Sequence, residues 1–495
     1  MERNIFFRPK DSYVGDVIPY YENGVYYLYF LNDRRPTSVV ADRTDWSLVT
    51  TTDFVNYEYH GTALPIGTME EPDNCCYTGS IYKNGENDYH LFYTAQNSYN
   101  DRYKVDGHPV QTIMHATSKD LIHWEKYPER FWGDGETYEI LDWRDPFVFY
   151  NEKEACYNML VTARKKSGSF RKGGCTLKCR SKNLFDWEIA EPFYDPERYY
   201  ALECPDLFEM NGWWYLVFST FTERFATHYR KARSIEGPWE EMVDDTWDAR
   251  NCYAIKTAGD GTHRYAFGWI PTRHGARDAG TYHWGGNLCV HELIQKEDGT
   301  LYAVMPSSIR NAFPVQRELS EAEMIGNVEK VETTYQLKAK EKTASVMFDE
   351  LPEECLIDVE LEFDQSVISF GLDMNAGEDR DEGYFFRFEP FYQRLVFDWW
   401  PRATLSDDAQ QQHYLGGDIP FQAALERPLR LQNKNTVKVS LLVKDGMMVC
   451  YANEETALSV RTYDLMKNRK WGIWAAGGEI KIHSITLKTA GGEDK

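Results

Sequence analysis

The stretch that decides the fold is Thr117-Ser118-Lys119-Asp120-Leu121-Ile122-His123-Trp124-Glu125, because the chain repeats it. Related copies stand at residues 51–58 and 180–188, and a more divergent one at 233–240. Repetition of one short unit along a chain is typical of an architecture built from equivalent modules. A turn that ends in an aromatic residue followed by Glu suits a link between two neighbouring strands.

Each copy of this turn follows a pair of strands, and the second strand of the pair is rich in aromatic residues. These aromatic strands are 26–30, 89–93, 157–161, 214–218 and, in a fifth unit, 264–269. Asn-Gly pairs at 23–24, 84–85 and 211–212 are strong hairpin signals. Four antiparallel strands repeated about five times predict a five-bladed β-propeller over residues 1–314, with the quoted turn joining third and fourth strands. A β-sandwich has similar strands, but it does not explain the near-copies of one turn.

The character of the sequence changes after Pro314. Residues 315–342 are charged and poor in turn motifs, which predicts a linker with one short helix near residues 320–323. Beyond it, alternating segments at 356–363, 384–388, 436–443 and 472–474 predict a β-sandwich over residues 343–495. The predicted fold class is therefore all-β: a five-bladed β-propeller followed by a C-terminal β-sandwich.

Composition excludes several classes of partner. The net charge of −23 argues against nucleic acid or an anionic membrane, because a phosphate-rich surface needs a basic footprint. No run of about 18 apolar residues occurs, and the first residues lack a signal core. The 10 cysteines are scattered, and Cys75-Cys76 is not a zinc spacing. We expect a cytoplasmic protein with reduced thiols and neither metal nor cofactor; its oligomeric state stays open.

Three acids stand at the heads of apolar strands in different repeat units: Asp16, Asp145 and Glu203. In a propeller the first strand of each blade lines the central channel, so we expect these carboxylates to converge. Cleavage of a glycosidic bond needs two carboxyl groups, one protonated and one ionised. Surface or turn-capping acids are the alternative. We expect Asp206 to serve as a structural partner, and Cys204 to be a buried thiol rather than a nucleophile.

Other residues near these strands are candidates for binding a saccharide. Arg144 could hold Asp145 ionised and bind a hydroxyl group, or form an ordinary ion pair. The hydroxyls of Thr78 and Ser80 could contact a ligand, or simply begin a strand. The aromatic fraction of 15% suits sugar stacking as well as a core, and it makes three indoles stacking candidates: Trp46, Trp284 and Trp269.

Several segments resemble glycoside hydrolase family 32, which contains invertases, fructanases and sucrose-6-phosphate hydrolases. The segments WRDPFVF (143–149) and ECPDLF (203–208) resemble its Arg-Asp-Pro and Glu-Cys-Pro-Asp motifs. The remaining resemblances are YTGSIY (77–82), segments 45–65 and 115–128, the propeller-closing strand 284–306, and the C-terminal segment 437–455. The resemblance covers almost the whole chain.

This resemblance implies a five-bladed propeller that hydrolyses small fructosides with retention of configuration. Carried over by motif, Asp16 is the nucleophile, Glu203 the acid/base, and Asp145 the residue that holds fructose hydroxyls and stabilises the transition state. The substrate implied is a small saccharide of the sucrose or fructo-oligosaccharide type.

The first motif departs from the family pattern. The family has Trp-Met-Asn-Asp-Pro-Asn-Gly, whereas this chain keeps only Asp16 within YVGDVIPYYENG (13–24). Asp11 is a weaker rival for the nucleophile. Three alternatives stay open: a pentosidase similar to family 43, a carbohydrate-binding propeller that has lost catalysis, and a fructosyltransferase, which sequence does not distinguish from a hydrolase.

Overall fold

The structure is a computed structural model that describes residues 2–35, 43–378, 382–400, 425–432 and 434–491. Its secondary structure is almost entirely β. The described helices are one α-helix, Ser307–Asn311, and three 3-10 helices, Asp101–Tyr103, Phe170–Lys172 and His274–Ala276. The all-β class predicted from the sequence is confirmed. No helix in these described ranges has the length and apolar character needed to cross a bilayer.

The chain forms two compact units. The first contains Met1–Thr246, Cys252–Pro271 and His283–Leu301, and the second contains Trp247–Asn251, Thr272–Tyr282 and Tyr302–Lys495. Most of the first unit thus precedes most of the second in the chain, although two short segments before residue 302 belong to the second.

Antiparallel sheets of consecutive strands make up the first unit. The first sheet contains, in spatial order, the strands Glu125–Phe131, Gln111–Ser118, Asp88–Gln96 and Cys75–Gly85. The second contains Tyr138–Asn151, Cys156–Lys165, Gly174–Ser181 and Glu188–Tyr194. The third contains Glu203–Met210, Trp213–Thr220 and Ala226–Ala232. The largest sheet contains, in spatial order, the strands Glu2–Arg3, Asn56–Leu64, Trp46–Thr51, Val25–Asp33, Tyr13–Glu22, Tyr282–Gln295, Arg264–Arg273 and Tyr253–Gly259. A further strand, Leu301–Val304, pairs with Tyr282–Gln295. A short pair, Lys104–Val105 with His108–Pro109, completes the described strands of this unit.

One hydrogen-bond pattern recurs in every close copy of the repeated turn. In the copy at 117–125, Ser118 Oγ accepts the backbone N–H groups of Asp120 and Leu121 at 3.1 and 3.0 Å. Asp120 Oδ1 then accepts two more backbone N–H groups, at 2.9 and 2.8 Å. Thr51 with Asp53, and Ser181 with Asn183, make the equivalent bonds. The side chains thus replace backbone partners in a turn too tight to supply them.

The residue after this Asp or Asn has a positive φ in each copy. Phe54, Leu121 and Leu184 have φ of 58°, 65° and 69°, and in the divergent copy the position is Gly237, with φ of 85°. The left-handed conformation costs a non-glycine residue about 1 kcal/mol. Burial of the three large side chains offsets that cost. The turn joins the third strand to the fourth in all three close copies, as the sequence predicts.

The second unit contains two antiparallel sheets whose buried faces share one hydrophobic cluster. One sheet contains Val315–Arg317, Val328–Val331, Thr334–Lys338, Glu354–Phe363, Thr436–Lys444, Met447–Ala452, Thr456–Arg461 and Glu479–Thr489. The other contains Glu321–Ile325, Ala344–Phe348, Ser369–Ala376, Gly383–Glu389, Arg394–Trp400, Glu426–Pro428 and Lys470–Ala476. All four strand segments predicted beyond residue 343 lie inside these strands.

The segment 315–342 differs from its prediction. Four of the strands just named lie within it, and the short helix expected near residues 320–323 is wrong, because that position is the strand Glu321–Ile325. Charged residues on the solvent side of edge strands gave this segment the composition of a linker. Pairing with strands far along the chain, such as Glu479–Thr489, overrides that local signal.

Substitution of Ser118 by Ala should lower the free energy of unfolding by about 1 kcal/mol, because two backbone N–H groups lose their acceptor. Urea denaturation of the two proteins would measure the difference. Ser167→Ala, at an exposed position, is the matched control and should change stability by less than about 0.5 kcal/mol. Equal effects of the two substitutions would contradict the role of the hydroxyl.

Candidate active site

The first strand of every repeat unit carries a β-bulge near its start. Pairing shifts by one residue between Val14 and Val17, Tyr77 and Gly79, Arg144 and Phe147, Glu203 and Asp206, and Tyr253 and Lys256. A bulge redirects side chains away from the regular alternation of a strand and is frequent next to active sites. The three predicted acids lie in or directly beside these bulges: Glu203 is the last residue paired before its bulge, and Asp145 and Asp16 lie one and two residues beyond the corresponding pair.

Asp16 accepts hydrogen bonds on both carboxylate oxygens. Thr78 Oγ1 donates to Oδ2 at 2.7 Å, and Trp269 Nε1 donates to Oδ1 at 3.0 Å. Burial raises the pKa of Asp16 from its ordinary value of 3.8 to about 7, and the negative charges of Asp145 and Glu203 add to the rise. The two hydrogen bonds oppose the rise because they favour the ionised form.

Asp145 is 3% exposed and has a φ of 58°. Its Oδ2 accepts the backbone N–H of Cys204 at 2.9 Å and the hydroxyl of Thr162 at 3.3 Å. Its own N–H donates to Thr94 Oγ1 at 2.7 Å. These bonds hold a non-glycine residue in the left-handed region, which is the kind of strain that surrounding structure must fix.

Glu203 lies between a guanidinium and a phenol. Arg144 Nη2 is 3.0 Å from Oε1, and Tyr253 Oη donates to Oε2 at 2.7 Å. Burial raises the pKa of Glu203, and the positive charge of Arg144 limits the rise. Burial also raises the pKa of Tyr253, and the charge of Glu203 adds to this, so that its hydroxyl stays a donor.

Two residues join the three acids into one network. Cys204 donates its N–H to Asp145, and its Sγ lies 3.8 Å from Asp16 Oδ2. Arg144 bridges the other two acids: it pairs with Glu203, and its Nε lies 3.8 Å from Asp145 Oδ2. The structure thus brings Asp16, Asp145 and Glu203 together, as the sequence predicts, through their shared contacts with Cys204 and Arg144. Burial raises the pKa of the Cys204 thiol well above its ordinary value, which agrees with the expectation of a buried thiol.

The other predicted site residues divide into two sets. Arg144 and Thr78 contact the acids directly, and the Trp284 ring packs against Trp269 with centroids 6.1 Å apart. The remaining predicted contacts need correction. Trp46 is 0% exposed and donates its indole N–H to Tyr77 O at 2.9 Å, so its ring is part of the core and not a stacking surface. Ser80 is likewise buried, and its Oγ accepts the N–H of Val148 at 3.0 Å.

The acids considered as alternatives lie elsewhere. Asp206 Oδ2 accepts the N–H and the hydroxyl of Thr257 at 2.8 and 2.6 Å, which confirms its predicted structural role. Asp11 is exposed, whereas Asp16 sits within the network.

Gly15, beside Asp16, is required by the Trp284 ring. A Cβ at Gly15 would lie 2.2 Å from the ring atom Cη2, far inside van der Waals contact. The side chain that the family pattern places before its nucleophile is therefore absent here, and an aromatic ring occupies the adjoining space. The altered first motif and Trp284 fit each other.

The sequence model described as "Glycosyl hydrolases family 32 N-terminal domain" matches residues 7–304. The chain belongs to glycosyl hydrolase family 32. This replaces the alternative of a family 43 pentosidase. Among curated family 32 relatives, the raffinose invertase of Escherichia coli is 28% identical over 207 residues, 40% of this chain and 39% of that protein. The sucrose-6-phosphate hydrolase of Escherichia coli is 28% identical over 322 residues, 56% of this chain and 62% of that protein. The matches thus span about two fifths to three fifths of these relatives' lengths.

Solved structures of family 32 enzymes share the fold over nearly the whole chain. The exo-inulinase from Aspergillus awamori aligns with a TM-score of 0.71 and 16% identity, covering 98% of this chain and 97% of that chain. The fructan 1-exohydrolase IIa from Cichorium intybus aligns with a TM-score of 0.72 and 15% identity, covering 98% and 96%. At these identities the likeness concerns the fold.

The structure also identifies site residues that the sequence did not single out. Tyr253 contacts Glu203, and Lys256 is buried with its Nζ donating to Pro205 O at 2.7 Å. Burial lowers the pKa of Lys256, and Asp206 and the other nearby acids oppose the fall. Tyr253 heads the first strand of its repeat unit as Glu203 does, and that equivalence is the signal that could have found it.

One buried cluster of metal-binding residue types lies outside the acid network of this family 32 chain. Cys252, Cys289 and His291 have potential ligand atoms within 4.8 Å of one another, with Cys289 Sγ 3.6 Å from His291 Nε2. Thiolate and imidazole are ligands that zinc prefers. In contrast to this cluster of thiol and imidazole groups, Asp16 and Glu203 contact hydroxyl, indole, phenol and guanidinium groups.

Asp16→Asn should stabilise the folded protein at high pH. Because folding raises the pKa of Asp16, its contribution to stability is complete below about pH 4 and is lost as the pH rises through about 7. The uncharged variant should equal the native protein at about pH 3, where the carboxyl is protonated in both states, and exceed its free energy of unfolding by on the order of 2 kcal/mol at about pH 8.5. Thermal or urea unfolding at the two pH values measures this. Asp11→Asn is the exposed control, and a difference independent of pH would contradict the prediction.

Proposed function

We propose that this chain is a retaining glycoside hydrolase that releases terminal fructose from small saccharides. The observation that carries the proposal is the single network of Asp16, Asp145 and Glu203, in which two carboxyl groups have raised pKa values in different surroundings. Two carboxyl groups, one ionised and one protonated, are what hydrolysis through a glycosyl-enzyme requires.

Asp16 is the nucleophile of the proposed mechanism. Its carboxylate attacks C2 of a fructofuranosyl unit, forming a C–O bond as the bond between C2 and the leaving oxygen breaks. The donors Thr78 and Trp269 hold both oxygens, which orients the carboxylate and leaves remaining lone pairs for the attack. Membership of the family and the position of Asp16 in its first motif support this role.

Glu203 supplies and recovers the proton. In the first step it protonates the leaving oxygen, and in the second it takes a proton from the water that attacks C2 and frees Asp16. Burial favours its protonated form before the first step, and Arg144 and Tyr253 stabilise the anion that it leaves behind. Asp145 lies fixed between these residues, where its carboxylate can accept hydrogen bonds from fructose hydroxyls.

The fold proposed for this chemistry is a five-bladed propeller followed by a sandwich. The five first-strand bulges and the recurring turn support five equivalent blades, the last of which shares a sheet with the first through the pair Val14 and Gly286. Two sheets with one common core support the sandwich.

The proposed substrate is a neutral fructoside. Structural neighbours include the chicory fructan exohydrolase with 1-kestose bound and a fructofuranosidase from Schwanniomyces occidentalis with fructose bound. Those ligands are properties of those proteins, and the shared family and the acid network support extension of the class to this chain.

Asp16→Ala and Glu203→Ala should each lower fructose release by at least ~10³-fold, because one removes the nucleophile and the other the proton donor. The assay is sugar release from sucrose, sucrose 6-phosphate, inulin and levan oligosaccharides, with arabino- and xylo-oligosaccharides as non-fructosides. Asp11→Ala, at the exposed rival acid, should retain native activity. A native protein that binds fructosides without releasing fructose would instead be a carbohydrate-binding propeller. Transfer of the fructosyl unit to another sugar rather than to water would make it a fructosyltransferase.

Thr78→Val should move the acidic limb of the kcat/KM profile to higher pH. The Thr78 hydroxyl lowers the pKa of Asp16 towards about 7, so its loss raises that pKa and delays ionisation of the nucleophile. Activity should therefore fall most at pH 6 and least at pH 8. A uniform loss at all pH values would show that Thr78 acts only through packing.

A further inference from the structure

Three aromatic side chains in contact lie on the surface of the first unit. The rings of Phe170 and Tyr200 have centroids 5.9 Å apart, and those of Tyr200 and Phe221 are 6.0 Å apart, both edge-to-face. Phe170 is 63% exposed and Phe221 38% exposed. Single exposed apolar residues are ordinary, but three joined in a row through the central Tyr200 form a surface that favours a ligand.

Two of these aromatic residues lie near Glu203 along the backbone. Tyr200 precedes it by three residues, so their Cα atoms are at most about 10 Å apart. Phe221 is two residues beyond Ser219, which is the direct cross-strand partner of Glu203. Two of the three rings are therefore held by the chain itself near the proposed acid.

A network of ion pairs fixes Phe170 and Tyr200 relative to that acid. The guanidinium of Arg164 lies 4.4 Å from the centre of the Phe170 ring and 4.6 Å from that of Tyr200. Asp142 accepts from Arg164 Nε at 2.8 Å and lies 3.0 Å from Arg144 Nη1. Arg144 in turn pairs with Glu203.

We propose that Phe170, Tyr200 and Phe221 form a platform that binds the leaving part of the substrate. The inference rests on the proposed function. The acid donates its proton to the leaving oxygen, so the leaving saccharide must extend on the Glu203 side of the scissile bond. A sugar ring presents apolar C–H groups on its faces, and aromatic side chains offer flat apolar surfaces to them.

The platform indicates the substrate class. A surface of three rings exceeds what one sugar unit needs, so the substrates that use it have a leaving part of two or more units. Arg164, which contacts two of its rings, and Arg144, which pairs with Glu203, are both paired with Asp142, which suits a neutral chain better than a phosphorylated one. The enzyme therefore favours fructo-oligosaccharides over sucrose and sucrose 6-phosphate.

The test compares the double variant Phe170→Ala/Phe221→Ala with the native enzyme on sucrose, sucrose 6-phosphate and an inulin-type pentasaccharide. The ratio of kcat/KM for the pentasaccharide to that for sucrose should fall about tenfold, through a higher KM with kcat retained. Phe185→Ala is the matched control, because Phe185 is 50% exposed and its ring contacts His115 and Tyr127 instead. It should leave the ratio unchanged.

An unchanged ratio in the double variant, or an equal fall in the control, would overturn the platform. So would a native enzyme that prefers sucrose 6-phosphate. A native protein that releases no fructose from any fructoside would overturn the proposed function and this inference with it. Release of fructose with an unchanged ratio would overturn this inference alone. Melting temperatures of the three proteins separate a binding defect from unfolding.

Discussion

Three carboxylates held close together, Asp145 buried and Asp16 and Glu203 partly buried, repel one another, and the residues around them are arranged against that repulsion. Each acid has at least two donors: hydroxyl and indole for Asp16, backbone N–H and hydroxyl for Asp145, guanidinium and phenol for Glu203. The donors differ in charge, so they shift the pKa values of the acids to different extents. A cation faces Glu203, while Asp16 has only neutral partners and a pKa raised to about 7. Differences in partner chemistry are how a protein assigns separate roles to similar groups.

The bulges make this arrangement possible. A regular strand would alternate its side chains between two faces, whereas a bulge places one extra residue and changes the direction of those beside it. In the third and fourth units the first bulge residue, Asp145 or Cys204, has a positive φ, and the N–H of Cys204 binds the carboxylate of Asp145. The strain of one bulge is thus offset by a bond from the next. Neighbouring repeat units depend on each other at the point where the chemistry is proposed.

The site and its surroundings follow one principle at two levels. Close to the acids, polar donors hold the carboxylates in place. Further out, the ion pairs that link Arg144, Asp142 and Arg164 hold the aromatic rings in place. Side chains that are already held in place lose less conformational entropy when a ligand binds. The altered first motif fits this account, because Gly15 leaves room for the Trp284 ring beside Asp16.

By itself the sequence determined the all-β class, the repeating turn and the three acids near the starts of first strands, because each rests on local sequence patterns that recur along the chain. Ser118 and Asp120 encode their turn wherever it stands, and an acid at a strand head can be recognised without knowing its neighbours. Only the tertiary structure decided which candidates face the acids. Trp46, in a third strand, and Ser80, in a first strand, are both buried in the core, whereas Tyr253 and Trp269 contact the acids. The composition of residues 315–342 likewise indicated a linker, although they pair as strands. The physical reason is common to these cases: the direction of a side chain and the partner of a strand depend on register and bulges, which are fixed by contacts between segments distant in the chain.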